Sequence, residues 1–272
     1  KTSSIMEQKT TTGVKVLIPI YKTTLNRLER MSLQQAYHVL QDYPLVAVKP
    51  RGLDLSPLLK EFPRLETEDF DDGYFKGISG YNRLMMSAEF YSRFADVRYV
   101  LIYQLDAYVF RDELQLWCGK GYDYVGAPWL VRPLYKFPLF VFTSWLKRKY
   151  CEVFHRPNSQ QSNFKVGNGG FSLRKVESHL EAVTRLKPVV EHYLAHPGNH
   201  IFNEDVFFAV EVNRQGMHFS YPDYREALEF SFDKYPALCY EWNGRRLPFG
   251  CHGWYKRKMK KFWFAMLGLQ GV

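Results

Sequence analysis

The chain has 272 residues, enough for one large domain or two small ones with a sizeable buried core. Its 46% hydrophobic and 24% charged content is that of a water-soluble globular protein and excludes low-complexity, collagen-like and disulfide-scaffold classes. The net charge of +9 is concentrated in Arg245, Arg246, Lys256, Arg257, Lys258, Lys260 and Lys261, so the rest of the chain is close to balanced. Cys118, Cys151, Cys239 and Cys251 are scattered without a CxxC pair, which points to neither a disulfide framework nor a zinc cage.

In chain order, "VKVLIPIY" (14–21) is apolar throughout, as a strand covered on both faces should be. Leu25, Leu28, Met31, Leu33, Ala36, Val39 and Leu40 then recur near helical spacing, and "PLVAVKP" (44–50) reads as a second buried strand. Strand, helix, strand within this length is a βαβ unit and predicts a parallel sheet. A helix over 81–94 leads into "YVLIYQLDAYVF" (99–110), a strand whose apolar run delivers Asp106, and 122–129 is a further strand. Residues 130–165, rich in Pro, aromatic and basic residues, read as an insertion or flap. Strand character returns over 164–175, a helix is predicted over 176–187 before Pro188, and another over 203–216, with Asn203 as N-cap and Gly216 as its stop.

Four places could carry chemistry. In an open α/β sheet, ligands bind beyond the carboxyl ends of the strands, so Asp106 should face that crevice and suits a divalent cation; an Asp capping a turn is the commoner case on position alone. Gly167, Gly169 and Gly170 around Asn168 let the backbone approach a ligand, although no nucleotide P-loop pattern is present and a glycine bulge would look the same. Glu204 and Asp205 open the 203–216 helix, where the dipole favours acids whatever their use and would keep Asp205 ionised, as a general base requires. His252, in "FGCHGW", is a candidate metal ligand, against the more frequent hydrogen-bonded structural histidine.

Together, QLDAYVF, GNGGFSLR, NEDVFF and FGCHGW resemble the GT-A glycosyltransferases, most closely a bacterial family of glycosyltransferase-like proteins carrying that ordered set over roughly 14–254. The resemblance implies an α/β, Rossmann-like, mixed but mostly parallel sheet flanked by helices: a single catalytic domain with the aromatic–basic insertion 130–165 and a basic–aromatic tail 255–272. It further implies transfer of a sugar from a nucleotide-sugar donor, a UDP-sugar by preference, to a glycan or lipid-linked acceptor. The "YNRLMM…LDAYVF" segment looks like the glycogenin and galactosyltransferase type, which puts Arg83 and Asn82 at the donor and Asp106 on the metal. "GNGGFSLR" and "NEDVFF" look like the fringe and β1,3-galactosyltransferase pattern, with Asp205 as base beside Glu204. GT-A enzymes usually carry Asp-x-Asp, whereas this chain has Gln104-Leu105-Asp106 or Asp106-Ala107-Tyr108; a single carboxylate survives, and His252 would be the second protein ligand of Mn²⁺ or Mg²⁺.

On that reading Pro19, Tyr21, Arg51, Asp54 and Gln104 contribute to the nucleotide pocket, and Trp129, Asn168, Gly169, Gly170 and Trp254 to the sugar and acceptor pocket. Transfer is expected to be inverting, a retaining reaction being the chemical alternative. A non-catalytic nucleotide- or carbohydrate-binding module is the rival from another class. A nucleic-acid partner is not expected, since no recognised motif accompanies the basic charge. No signal peptide is recognisable, and a cytoplasmic setting is expected. The tail "KKFWFAMLGL" fits a helix at a membrane surface as well as one docked on its own core; with the 130–165 segment it gives an expectation of peripheral attachment to the inner face of the cytoplasmic membrane.

Overall fold

The computed structural model describes residues 13–131, 137–154 and 158–269. The backbone is a mixed α/β structure built on a six-stranded sheet and a smaller one. The large sheet contains β1 (Val14–Pro19), β2 (Leu45–Pro50), β3 (Leu65–Phe70), β4 (Tyr99–Tyr103), β6 (Tyr124–Gly126) and β7 (Phe171–Lys175) in the order β3-β2-β1-β4-β7-β6. β1 to β4 run parallel to one another, and β7 is antiparallel to both β4 and β6. The small sheet has the order β5-β9-β8, from β5 (Ala107–Val109), β8 (Ser231–Phe232) and β9 (Gly250–His252).

The apolar runs of β1, β2 and β4 follow from two cores. Val16, Ile18, Ala47, Leu101 and Tyr103 face one core, completed by Leu33 and Ala36 of the helix Arg27–Val39. The residues between them, Leu17, Val46, Val48, Val100 and Ile102, face the other, which holds Leu84, Met85, Phe90, Tyr91, Phe207 and Phe208. Helices on both sides of a parallel sheet leave no polar face, so alternation disappears from the sequence.

Several elements depart from the sequence reading. The strand expected over 99–110 is divided between the sheets: after Tyr103 the chain turns at Gln104-Leu105-Asp106, closed by the Ala107 amide donating to the Gln104 carbonyl at 2.8 Å, and resumes as β5. The helix expected over 81–94 is two, Gly77–Met85 and Ala88–Arg93, because Ser87 accepts from the Phe90 amide and caps a new start. The 176–187 helix ends at Arg185, and Pro188 falls in the first turn of the next helix, Lys187–Leu194, where its missing N–H costs nothing. The 203–216 helix is helical over Glu204–Val206, π-helical over Phe207–Glu211 and α-helical again over Val212–Arg214. The 122–129 strand is reduced to β6 plus a bridge between Pro128 and Val166, and the 164–175 strand to that bridge plus β7.

The 130–165 segment contains the helix Pro138–Val153; residues 132–136 and 155–157 lie outside the described residues. The fold also continues past 254. The helix Lys260–Met266 buries Trp263 completely, stacked on Phe110 with centroids 5.3 Å apart, in a third core with Phe232, Cys251 and Trp254. The tail therefore spends its central aromatic residue on the protein's own core. Among the described residues all four cysteines are free thiols, and no helix is long and apolar enough to cross a membrane.

Candidate active site

β1 and β4 lie side by side where the order of the parallel strands reverses, with β2 to one side of β1 and β4 to the other, and their carboxyl ends open a crevice. The turn leaving β4 is fastened there: the Gln104 amide donates to the Gly170 carbonyl at 2.9 Å, and the Asp106 carbonyl accepts from the Trp254 amide at 3.2 Å. β5 pairs antiparallel with β9 so that Ala107 is opposite His252. His252 Nε2 lies 3.1 Å from Asp106 Oδ1 and its Nδ1 3.1 Å from Asp233 Oδ1, with Asn168 Nδ2 3.0 Å from that same nitrogen. Lys256 Nζ is 2.7 Å from the other oxygen of Asp106.

Burial opposes the Asp106 charge, but His252 and Lys256 outweigh it and hold the carboxyl well below the usual carboxylate range. Burial likewise disfavours a cationic His252, yet Asp106 and Asp233 lift it to about 9. His252 Nε2 is buried and, though close to Asp106, has no aligned hydrogen bond.

The glycines behind this group are there for close approach. A Cβ on Gly170 would lie 2.3 Å from His252 Nε2 and 2.9 Å from Gln104 Oε1, and one on Gly169 would lie 1.8 Å from Glu204 Oε1. Asn168 itself takes a left-handed backbone, φ 63°, which Asn tolerates better than most residues.

Glu204 and Asp205 have different fates. Glu204 is buried and paired with the fully buried Arg174 at 3.0 Å, and Arg174 also donates to Tyr91 Oη at 3.0 Å. Burial raises the Glu204 carboxyl against the pull of Arg174. Its side chain is spent on that buried ion pair and is not among the cavity-lining groups. Asp205 lines a cavity of about 760 Å³ with Trp129, Asn203, Lys234 and Tyr235. The expectation that the helix start keeps Asp205 readily ionised is corrected. Burial first, then Glu204 and Asp233, push its carboxyl up to about 7, and its own hydrogen bond from the Val206 amide does not offset them. Asn203 precedes the helix, but its side chain caps nothing; it accepts from Asn82 Nδ2 at 3.1 Å, and Asn82 Oδ1 accepts from the Glu204 amide at 3.3 Å. Asn82, expected at the donor, thus caps the helix from a neighbouring one.

A second cavity, about 370 Å³, lies at the carboxyl ends of β1 and β4 and is lined by Pro19, Tyr21, Gln104, Asp106, Tyr81 and Tyr255, among others. Asp106 and Asp205 therefore open onto different cavities. Asp106 contacts His252, His252 contacts Asp233, and Gly169 and Gly170 back onto Glu204 and His252 in turn. Other expected residues lie elsewhere. Arg51 and Asp54 follow β2, and Asp54 accepts from the Ser56 amide and hydroxyl at 2.9 and 2.6 Å. Arg83 is exposed on the helix Gly77–Met85. None of these three lines either cavity. Trp254 is not a pocket residue: it is fully buried, edge-on to Tyr108 and Tyr255.

Asp233 and Lys256 were missed. Asp233 had a readable signal, since "FSFD" is a short apolar strand ending in a carboxylate, as at Asp106. Lys256 was hidden in the basic run that follows His252.

Residues 64–252 match the family described as "Protein of unknown function (DUF5672)". No curated protein matches the chain in sequence. Among solved structures it is similar to mouse xyloside xylosyltransferase 1 in its apo form, at 13% identity over 88% of this chain and 97% of that one, TM-score 0.51. It is also similar to the galactosyltransferase LgtC in complex with donor and acceptor sugar analogs, at 12% identity over 95% and 97%, TM-score 0.53. These likenesses show the fold, which is that of the GT-A glycosyltransferases.

Proposed function

We propose that this chain, which belongs to the DUF5672 family, is a glycosyltransferase moving a sugar from a nucleotide-sugar donor to a hydroxyl of a glycan or lipid-linked acceptor. One observation carries the reading. A half-buried carboxylate poised near neutrality, Asp205, lines a 760 Å³ cavity, while the Asp106–His252–Lys256 cluster stands at the carboxyl ends of the central strands beside a 370 Å³ cavity. The similarity of the fold to LgtC, which was captured with donor and acceptor sugar analogs, supports the assignment.

In this reading the smaller cavity takes the nucleotide, with Tyr21 at its rim against the base. The larger cavity takes the acceptor, with the Trp129 ring offering an apolar face to a sugar. Asp205 accepts the proton of the attacking hydroxyl, which its value of about 7 suits at neutral pH. The Lys256 ammonium offsets the negative charge that grows on the departing diphosphate. Attack on the face opposite that leaving group inverts the anomeric carbon; a product of retained configuration would exclude Asp205 from the role of base.

The residues fit a divalent cation once it displaces the proton that Asp106 and Asp233 hold on His252 and the Lys256 ammonium on Asp106. His252 Nε2 is buried without an aligned partner, a carboxylate holds its other nitrogen, and the neighbouring donors Asp106 and Gln104 are hard oxygens. Asp106 and His252 would hold Mn²⁺ or Mg²⁺, with Gln104 in place of a second carboxylate. Among the described residues no group of three or more His, Cys, Asp or Glu gathers as a ready cage, so donor oxygens would have to complete the shell. When bound, the ion would supply Lewis-acid neutralisation of phosphate charge.

The test is a thermal-shift and turnover screen of nucleotide sugars with and without Mn²⁺. Stabilisation with turnover that the Asp205→Asn variant lacks is the expected result. Stabilisation without turnover under any condition would assign a binding module instead, and no response to any nucleotide sugar would remove the proposal.

A further inference from the structure

The 760 Å³ cavity lined by Asp205 carries more positive than negative charge. Lys147 lines it from the helix Pro138–Val153 and Lys234 from the turn that follows β8, and His200 adds a titratable ring. Asp205 is the sole acid among the described residues that line it, and its carboxyl, pushed up to about 7, is only partly charged at neutral pH. Among the described residues neither ammonium has an ion-pair or hydrogen-bond partner. Elsewhere cavity cations are spent on acids. At the 370 Å³ cavity Lys22 pairs with Glu29 at 2.7 Å, and at a third cavity, of about 720 Å³, Arg214 pairs with Glu211 at 2.7 Å.

The neighbours of Lys234 fix where it stands. Asp233 is held on His252, and the Lys234 carbonyl accepts from the Cys239 thiol at 3.2 Å. Tyr235 takes a left-handed backbone, φ 56°, a strained conformation for a bulky side chain, just before the helix Pro236–Trp242. One short turn thus gives its first residue to the imidazole and its next two to the cavity wall. A cleft walled by one sign of charge concentrates ions of the other. The remaining wall suits a sugar, since Gln160, Gln161, Asn163 and Asn203 supply amides and Ser162 a hydroxyl. Phosphate and carboxylate oxygens accept charge-assisted hydrogen bonds from ammonium groups, which are stronger than any a neutral sugar makes.

We propose that Lys147 and Lys234 form an anion subsite in this cavity, and that the acceptor is an acidic glycan carrying a phosphate or carboxylate group alongside the hydroxyl that receives the sugar. The assignment of the anion to an acceptor rests on the glycosyltransferase reading; the pull of the two ammonium groups on such an anion does not.

The test is calorimetric titration of the full chain with glucose 6-phosphate, glucuronate and glucose. At least one of the anionic sugars should bind while glucose does not, and the tighter of the two identifies the group as phosphate or carboxylate. That binding should weaken as salt is raised. The double variant Lys147→Gln, Lys234→Gln should bind the same sugar at least about tenfold more weakly, because the charge-assisted contacts are lost. Both side chains are exposed, so its melting temperature should match the parent, as should its response to nucleotide sugars. Lys256→Gln should do the reverse, losing nucleotide affinity and keeping the anionic sugar. Failure of the anion subsite and failure of the transferase reading therefore give different results. Glucose bound as tightly as its 6-phosphate would overturn the proposal, as would binding of neither anionic sugar. So would anion binding untouched by the double variant. Loss of nucleotide-sugar affinity in the double variant would assign the two lysines to the donor diphosphate and end the proposal.

Discussion

Ala107 stands opposite His252 across the β5–β9 pair, and this register sets the Asp106 carboxylate 3.1 Å from the imidazole. Both strands are only three residues long. A slip of one residue would turn the His252 side chain to the opposite face of the small sheet and break the contact. The Asp106–His252 half of the site depends on that alignment and on the groups that reinforce it.

Asp205 is the first point of attack. Asp205→Asn should lower transfer by about 10² to 10⁴ while leaving donor affinity unchanged, measured by turnover and by calorimetric titration of the nucleotide sugar. In the parent, kcat/KM should climb as pH rises through about 7 and then flatten, as the carboxyl loses its proton. A flat profile between pH 5 and 8 would deny it the role of base.

The same carboxyl should mark stability with the opposite sign. Its folded value of about 7 lies above the ordinary 3.8, so the folded state holds the proton where the unfolded state has released it. Its stabilising contribution is complete below about 4 and is lost as pH rises through about 7. Asp205→Asn should therefore melt above the parent at pH 8, by roughly 2–4 °C for each kcal/mol recovered, with the difference shrinking toward pH 4.

Asp233 touches His252 alone among the proposed metal-site residues, which makes it a positioning residue. Asp233→Asn should weaken Mn²⁺-supported nucleotide binding about 10- to 100-fold, and Asp106→Ala should remove the Mn²⁺ dependence altogether. Equal nucleotide affinity in Mn²⁺ and in EDTA for the parent would rule out the cation.

Gly170 tolerates no side chain, because the added carbon would sit 2.3 Å from His252. Gly170→Ala should cost about 1–3 kcal/mol in urea denaturation and abolish the nucleotide response. A variant with parental stability and binding would show that the histidine can yield.

Arg174 and Glu204 should behave as a structural pair. Arg174→Met strands a buried carboxylate and should cost about 3–5 kcal/mol. Adding Glu204→Gln should recover part of that loss, and the double-mutant cycle measures how much.

The sheet was readable because strands covered on both faces leave continuous apolar runs, as in "VKVLIP" and "YVLIY". The break at Gln104 was not, since β4 and β5 are equally apolar and only tertiary pairing assigns them to different sheets. The pairing of Asp106 with His252 was expected from family resemblance, because no local pattern links residues so far apart. Charge state was misread at Asp205: a sequence displays the helix start but hides the burial, Glu204 and Asp233 that together dominate it. Trp254 and Glu204 sit within suggestive motifs, yet their side chains face the core, and direction is a property of packing that spacing alone leaves open.

The division of the 99–110 run between two sheets has an architectural consequence. One sheet delivers the carboxylate as its strand ends, and the other supplies the imidazole only after most of the chain has been made. Neither layer is a smaller working version of the whole, so a fragment ending before β9 would keep the parallel strands yet possess an Asp106 with no imidazole to meet.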